Sequence, residues 1–207
     1  LSERAAIDLR NEWRDYSAVV FGPGLGDSVD TRALTWAALP DTGDAIRGVV
    51  VDADGLNALA TLEDGPQRIP PAAILTPHPG EMARLMRMTV ADVQARRLET
   101  AKECAAKYGA VVVLKGAHSV IAAPDGRVSL SPFANPLLAT AGSGDVLAGM
   151  AGGYLAQGVA PFEAACLAVY LHGAVGEALS AEYGTAGLLA GEIASRLPRI
   201  VREVAAP

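Results

Sequence analysis

The sequence predicts an α/β fold, a mostly parallel central sheet with helices on both faces, read as a single domain over residues 1–207. Three observations predict it. Short β-branched runs bounded by turn residues recur along the chain, and longer helical segments separate them. The alternation of strand and helix is the signature of parallel strands joined by helical crossovers. Hydrophobic residues make up 51% and aromatics only 5%, so the core must be built from Ala, Val and Leu, which suit helices packed closely on a sheet.

Taken in order, Ala18–Phe21 ends in Gly22-Pro23-Gly24-Leu25-Gly26, and Val49–Val51 ends in Asp52-Ala53-Asp54-Gly55. Ala72–Thr76 ends in Pro77-His78-Pro79-Gly80, and Ala110–Leu114 ends in Lys115-Gly116. Helices are predicted between them near 29–38, 55–62, 80–87 and 90–108. Ser119–Ala123, the turn Pro124-Asp125-Gly126-Arg127 and Val128–Leu130 then read as a hairpin. After Pro136 the pattern is helical over about 145–157, 161–181 and 186–203. Polar residues gather just after each strand. In open α/β sheets ligands bind at the carboxyl ends of strands, so these loops are expected to line one cleft.

The net charge of −6 and the scattered Lys and Arg leave no basic patch for nucleic acid or an anionic membrane. Val146–Phe162 is uncharged, but its glycines, Gln157 and Pro161 argue against a membrane span. Leu1–Arg14 is charged throughout and does not read as a signal peptide. Cys104 and Cys166 lie in Ala-rich helical runs without metal-ligand spacing and read as reduced, buried thiols. A cytoplasmic protein is expected.

The segment richest in chemistry is Asn135-Pro136-Leu137-Leu138-Ala139-Thr140-Ala141-Gly142-Ser143-Gly144-Asp145. A glycine-rich turn enters an apolar helix there. Helix-initial N–H groups lack intrahelical partners and carry the positive end of the dipole, so Gly142, Ser143 and Gly144 form a candidate phosphate site. Asp145 at the helix start is a candidate base. A base beside an anion hole is what phosphoryl transfer to an alcohol needs. The residues alone equally allow a bland reading, in which Asp145 caps the helix and the glycines only turn the chain. The Lys-Ser/Thr pair of a Walker A loop is missing.

Ala-Gly-Ser-Gly-Asp-Val-Leu-Ala-Gly resembles the Gly-x-Gly-Asp signature of the ribokinase-like superfamily. The preceding Asn-Pro-x-x-Ala-Thr is similar to the ADP/ATP-dependent NAD(P)H-hydrate dehydratase family, once called carbohydrate kinases. Four more segments match that family in order: Gly22–Gly26, Asp52–Asn57, Thr76–Glu81 and Leu114–Ser119. The resemblance implies a ribokinase-like fold whose N-terminal part is missing here. That omission predicts an exposed apolar sheet edge. It also implies a reaction, in which the ring hydroxyl of hydrated NADH or NADPH is phosphorylated from ATP or ADP and then eliminated as phosphate. Mg²⁺ is expected with the nucleotide, held mainly by phosphate and water, with no protein metal site. A homo-oligomer is expected, and a missing N-terminal fragment is a possible partner.

By the same resemblance, Asp145 is the base and a substrate contact, and Gly144 touches the nucleotide. Lys115, Gly116, Ala117, His118 and Ser119 form the nucleotide-binding segment, while Gly26, Asn57 and His78 contact the hydrated dinucleotide. Bland readings stand beside these: a tight turn at Gly26, a surface lysine at Lys115, a structural histidine at His78, and capping by Asp54 and Glu81. His172, in an apolar helical stretch, reads as a packed core residue. Two other functions remain open at this point, a ribokinase-like kinase of a thiazole or pyrimidine alcohol and a non-catalytic nucleotide-binding module.

Overall fold

The computed structural model describes residues 3–13, 15–39, 46–70 and 72–205. Six strands, β1 (Ala18–Phe21), β2 (Gly48–Val51), β3 (Ala73–Leu75), β4 (Val111–Leu114), β5 (Val120–Ala122) and β6 (Val128–Leu130), form one sheet in that order. The first four are parallel, and β5 and β6 are antiparallel, as the hairpin pattern requires. The registers Val20↔Val50↔Ile74↔Val111 keep every second side chain in phase across the parallel strands.

That phase divides the interior in two. Val49, Val51, Ala73, Leu75, Val112 and Leu114 pack on one face with α1 (Glu3–Trp13), α2 (Val29–Ala38), α3 (Asp54–Thr61), α4 (Pro79–Met86), α5 (Val90–Ala95) and α6 (Arg97–Tyr108). Val50, Ile74, Val111 and Val113 pack on the other with α7 (Ser143–Ala156), α8 (Pro161–Tyr183) and α9 (Ala190–Ala205). Strands buried on both faces carry continuous apolar runs for this reason. Each fully buried Val, Leu or Ile side chain contributes roughly 1.5–3 kcal/mol relative to exposure.

α7 lies close to the sheet because it is built of small residues. A Cβ on Gly152 would sit 2.6 Å from Val20 Cγ2, so only glycine admits this approach. α8 is long and apolar enough to cross a membrane by length and composition, but Ala164, Ala165, Ala168, Leu171 and Val175 are buried in the second core. It is a core helix.

Three expectations change in detail. The segment 90–108 is two helices, broken at Arg96, whose backbone (φ −139°, ψ 51°) leaves the helical region. The N-terminal segment, read only as charged, forms α1 and buries Ala6 and Trp13. Cys104 is buried and its thiol is pushed up to about 12 by burial, whereas Cys166 is only half-buried. The expected sheet edge is present. Among the described residues β1 pairs only with β2, and Val20 on it is 39% exposed.

Candidate active site

Parallel strands end at the same edge of a sheet, and this sets Asp52, the His78 loop and Lys115 side by side. Asp52 follows β2 directly, and Lys115 follows β4. Lys115 Nζ donates to Asp52 Oδ1 at 2.6 Å and lies 3.8 Å from Glu81 Oε2. Asp52 and Glu81 are both buried. Burial pushes the Glu81 carboxyl above its usual range, opposed by the charge of Lys115 and by the His78 amide, which donates to Oε2 at 2.7 Å.

His78 and Glu81 open α4 with a reciprocal cap. His78 Nδ1 accepts from the amides of Gly80 (2.9 Å) and Glu81 (3.4 Å), so its ring hydrogen must sit on Nε2, 3.3 Å from Glu81 Oε1. Gly80 makes room for this ring: a Cβ there would lie 2.7 Å from His78 Cε1. The capping reading of Glu81 therefore holds, and the same carboxylate also faces the Lys115 cation.

The glycine-rich turn supplies the opposite wall. Gly142 takes the left-handed conformation (φ 82°) as the residue before α7 and offers no side-chain cap. The Ser143 amide donates to the Thr140 carbonyl at 3.2 Å. Among the described residues nothing accepts from the amides of Gly144 and Asp145, and nothing pairs with the Asp145 carboxylate. The donors available to an anion are thus Gly144 and Asp145, and the Ser143 amide expected among them is already engaged. Asp145 stands in the first turn rather than at the cap, so the capping alternative does not hold. A Cβ on Gly144 would lie 3.3 Å from Lys115 Nζ and 3.7 Å from Asp52 Oδ2, which places the two halves of the site in contact.

Between these walls lies a cavity of about 630 Å³. Asp52, His78, Glu81, Lys115, Gly116, Ala117, Ser119, Gly142, Ser143, Gly144 and Asp145 all line it. Its apolar lining includes Phe133, Leu138, Leu147 and Val169. Phe133 and Leu138 seat on glycines of α8: a Cβ on Gly173 would fall 2.1 Å from the Phe133 ring, and one on Gly176 would fall 2.7 Å from Leu138. Asn135 fixes the same loop. Its Oδ1 accepts from the Leu137 amide, and its Nδ2 donates to Ser180 Oγ at 2.6 Å. The loop after β4 leaves the amides of Gly116 and Ala117 without described partners. Arg97 braces that loop from behind, donating to the carbonyls of Leu114 (3.1 Å) and Lys115 (3.3 Å).

Three expected site residues do not line this cavity. His118 points its Nδ1 to the Ser131 carbonyl (3.1 Å) and its amide to the Phe133 carbonyl, so it ties the hairpin to the next loop and does not line the cavity. The Gly26 amide donates to Asp54 Oδ2 at 2.8 Å, and Asn57 Oδ1 accepts from Arg84 at 2.9 Å. These bonds hold both outside the cavity lining. Gly22, at the start of that same turn, packs so tightly on the end of β2 that a Cβ would meet the Asp52 carbonyl at 1.9 Å.

Three residues of the site were not assigned to it from sequence. Asp52 carried a legible signal, a carboxylate directly after an apolar strand. Arg97 carried none, since the break at Arg96 decides where it reaches. His172 read as core and is buried, yet it lines the cavity and bonds to the start of α7, with Nε2 3.1 Å from the Ser143 carbonyl and 3.0 Å from Ser143 Oγ. Burial lowers its pKa to about 4 from an ordinary 6.5, with Lys115 adding and the Ser143 carbonyl opposing. A base depressed in the folded state costs stability when it must be charged. Stability is therefore complete above 6.5 and is lost as pH falls towards 4, by up to about 3 kcal/mol. Denaturant unfolding at neutral pH and near pH 5 should show this loss, and His172→Gln should flatten it. An unchanged slope in that variant would contradict the assignment.

The family model for NAD(P)H-hydrate dehydratase matches residues 2–199. The chain belongs to that family. Within the NAD(P)H-hydrate dehydratases, it is 45% identical over 188 residues to the ADP-dependent (S)-NAD(P)H-hydrate dehydratase of Neisseria meningitidis, covering 87% of this chain. It spans 62% of the length of that protein. Its fold superposes with a TM-score of 0.79 on the ADP/ATP-dependent NAD(P)H-hydrate dehydratase of Bacillus subtilis co-crystallized with ATP/Mg²⁺, at 40% identity, covering 94% of this chain and 69% of that one. A ribokinase-like superfamily protein of Enterococcus faecalis matches with a TM-score of 0.81 at 26% identity, over 100% of this chain and 70% of that one. The fold is ribokinase-like.

Proposed function

We propose that this chain carries the phosphoryl-transfer site of an ADP- or ATP-dependent dehydratase that restores NADH and NADPH from their hydrates. The observation that carries the reading is the opening of α7: two amides, Gly144 and Asp145, and the Asp145 carboxylate, all without a partner among the described residues, beside Lys115 in one cavity. Family membership suggests the substrate class, and the ADP- and ATP-dependent relatives suggest the donor.

In this reading the donor's terminal phosphate rests on the amides of Gly144 and Asp145. Lys115 and the amides of Gly116 and Ala117 meet the remaining phosphate oxygens, and Ser119 borders the same segment. Asp145 takes the proton from the ring hydroxyl, whose oxygen then bonds to the transferring phosphorus as the bond to the departing nucleotide breaks. Hydroxide leaves poorly and phosphate leaves well. The carbon–oxygen bond then breaks with loss of phosphate, a proton departs from the adjacent ring carbon, and the double bond returns. His78, which lines the cavity, is assigned to the hydrated dinucleotide, and Gly26 and Asn57 would meet it only beyond that lining. Mg²⁺ supplies charge neutralisation between donor phosphates when bound. In this reading the ion would travel with the donor, held mainly by its phosphates and by water. The protein is assigned to the cytoplasm.

Hydrated NADH incubated with the chain, Mg²⁺ and either ADP or ATP should regain the absorbance of NADH and release inorganic phosphate in equal amount. Accumulation of a stable phosphoester would overturn the dehydratase in favour of a kinase. Nucleotide binding without turnover would overturn it in favour of a binding module.

A further inference from the structure

We propose that His172 is a positioning residue for the phosphate site: fixed on α8, its ring clamps Ser143 and so holds the amides of Gly144 and Asp145, and the Asp145 carboxylate, towards the donor. The proposal rests on the phosphoryl-transfer reading above.

The first turn of a helix is its loosest part, because its amides lack intrahelical partners. Here the usual remedy is missing. The residue before α7 is Gly142, which has no side chain with which to cap. Nor can a cap be added from the amide side without consuming the donors that the phosphate needs. The turn is secured instead through Ser143, the residue next to those donors. Its amide donates to Thr140, and Thr140 Oγ1 donates to the Leu188 carbonyl at 2.9 Å. Its carbonyl and hydroxyl both face His172 Nε2, at 3.1 and 3.0 Å. A carbonyl only accepts, so the ring hydrogen sits on Nε2 and donates to Ser143.

The anchor itself is buried. His172 is 9% exposed and neighbours Gly173, the seat of the Phe133 ring. One helix thus holds both the Phe133 wall of the cavity and the start of α7. A histidine suits this task better than an apolar residue of similar size, which would leave the buried Ser143 hydroxyl facing it without that partner. It also suits it better than a lysine, whose charge would compete with Lys115 for the phosphate. The uncharged ring fixes geometry and leaves the attraction to the amides and Lys115.

The test is calorimetric titration of ADP into the whole chain, alongside dehydration kinetics and thermal unfolding. His172→Leu should weaken ADP binding roughly tenfold, or about 1.4 kcal/mol, and should lower kcat by more than it raises KM for the hydrate. His172→Gln places an amide nitrogen near the position of Nε2 and should recover most of both losses. A purely structural role would lower the thermal midpoint in both variants and leave the kinetics of the folded protein unchanged. Wild-type ADP affinity and kcat in folded His172→Leu would overturn the proposal, as would a Gln variant no better than Leu. If the Leu variant does not fold, His172→Asn takes its place, since its amide is drawn back from Ser143; equal ADP affinity in the Asn and Gln variants then overturns the proposal. ADP binding that depends on residue 172 in a chain that never dehydrates the hydrate would sink the dehydratase reading alone.

Discussion

Asp145→Asn is expected to lower dehydration by roughly 10²–10⁴-fold, the range a positioned general base contributes, while ADP affinity stays within about threefold. The substitution keeps the shape of the side chain and the backbone amide that binds phosphate. It removes the negative charge and with it the capacity to accept a proton. The sign of the small binding change also follows, because the carboxylate stands beside the donor's phosphate and repels it. Asn relieves that repulsion, so ADP should bind equally or slightly tighter. No described residue pairs with the carboxylate, so the variant breaks no ion pair and should fold normally. Single-turnover kinetics with hydrated NADH and calorimetry with ADP check both halves. Wild-type turnover in the Asn variant ends the proposed mechanism. A large loss of ADP affinity would show instead that residue 145 organises the nucleotide site.

Lys115→Met is expected to have the largest effect on stability, about 3–5 kcal/mol at neutral pH. Lys115 is the cation between two buried carboxylates, 2.6 Å from Asp52 and 3.8 Å from Glu81. Methionine fills the volume and leaves both acids without compensation. Glu81 is already raised by burial above its ordinary 4.5 and is held down by Lys115. Without the lysine it rises further. A carboxyl raised in the folded state binds its proton more readily there than in the unfolded chain. Its contribution therefore grows as pH falls through the raised folded value and is complete below 4.5. The deficit of the variant should shrink on acidification from neutral pH towards that value. The acid loss caused by His172 occurs in both proteins and is slightly smaller in the variant, since Lys115 helps to depress that residue. Urea unfolding of both proteins at neutral pH and near pH 5 measures the difference. A deficit that is constant with pH would show that the carboxylates are not the source. The variant should also lose about 1.5–3 kcal/mol of donor binding, the worth of a hydrogen bond to a charged group.

The chemistry at Asp145 and the surroundings of Lys115 were not equally visible in the chain. The Gly-Ser-Gly-Asp turn announces itself because glycine, helix start and carboxylate are adjacent in sequence, and their geometry is local. Lys115 was visible as a loop residue after a strand, but its partners Asp52 and Glu81 come from the end of β2 and the first turn of α4. Ser143 shows the limit of local reading. Its amide looked available, and only the fold of the preceding turn assigns it to Thr140. His118 and Gly26 sit in segments placed correctly on loops, yet hydrogen bonds to distant residues hold both off the cavity lining.

By itself the sequence determined the four parallel strands, the hairpin, the long C-terminal helices and the loop that carries the carboxylate. Each of these depends on hydrophobic periodicity and turn chemistry within a few residues. Only the tertiary structure decided that Lys115 stands between Asp52 and Glu81, that Arg97 braces the loop behind it, and that His172 grips the start of α7. Those contacts join residues from 17 to 63 positions apart. No local pattern encodes such a distance. It follows from the register that aligns the strand ends and from the small residues that let α7 and α8 lie close to the sheet and to one another.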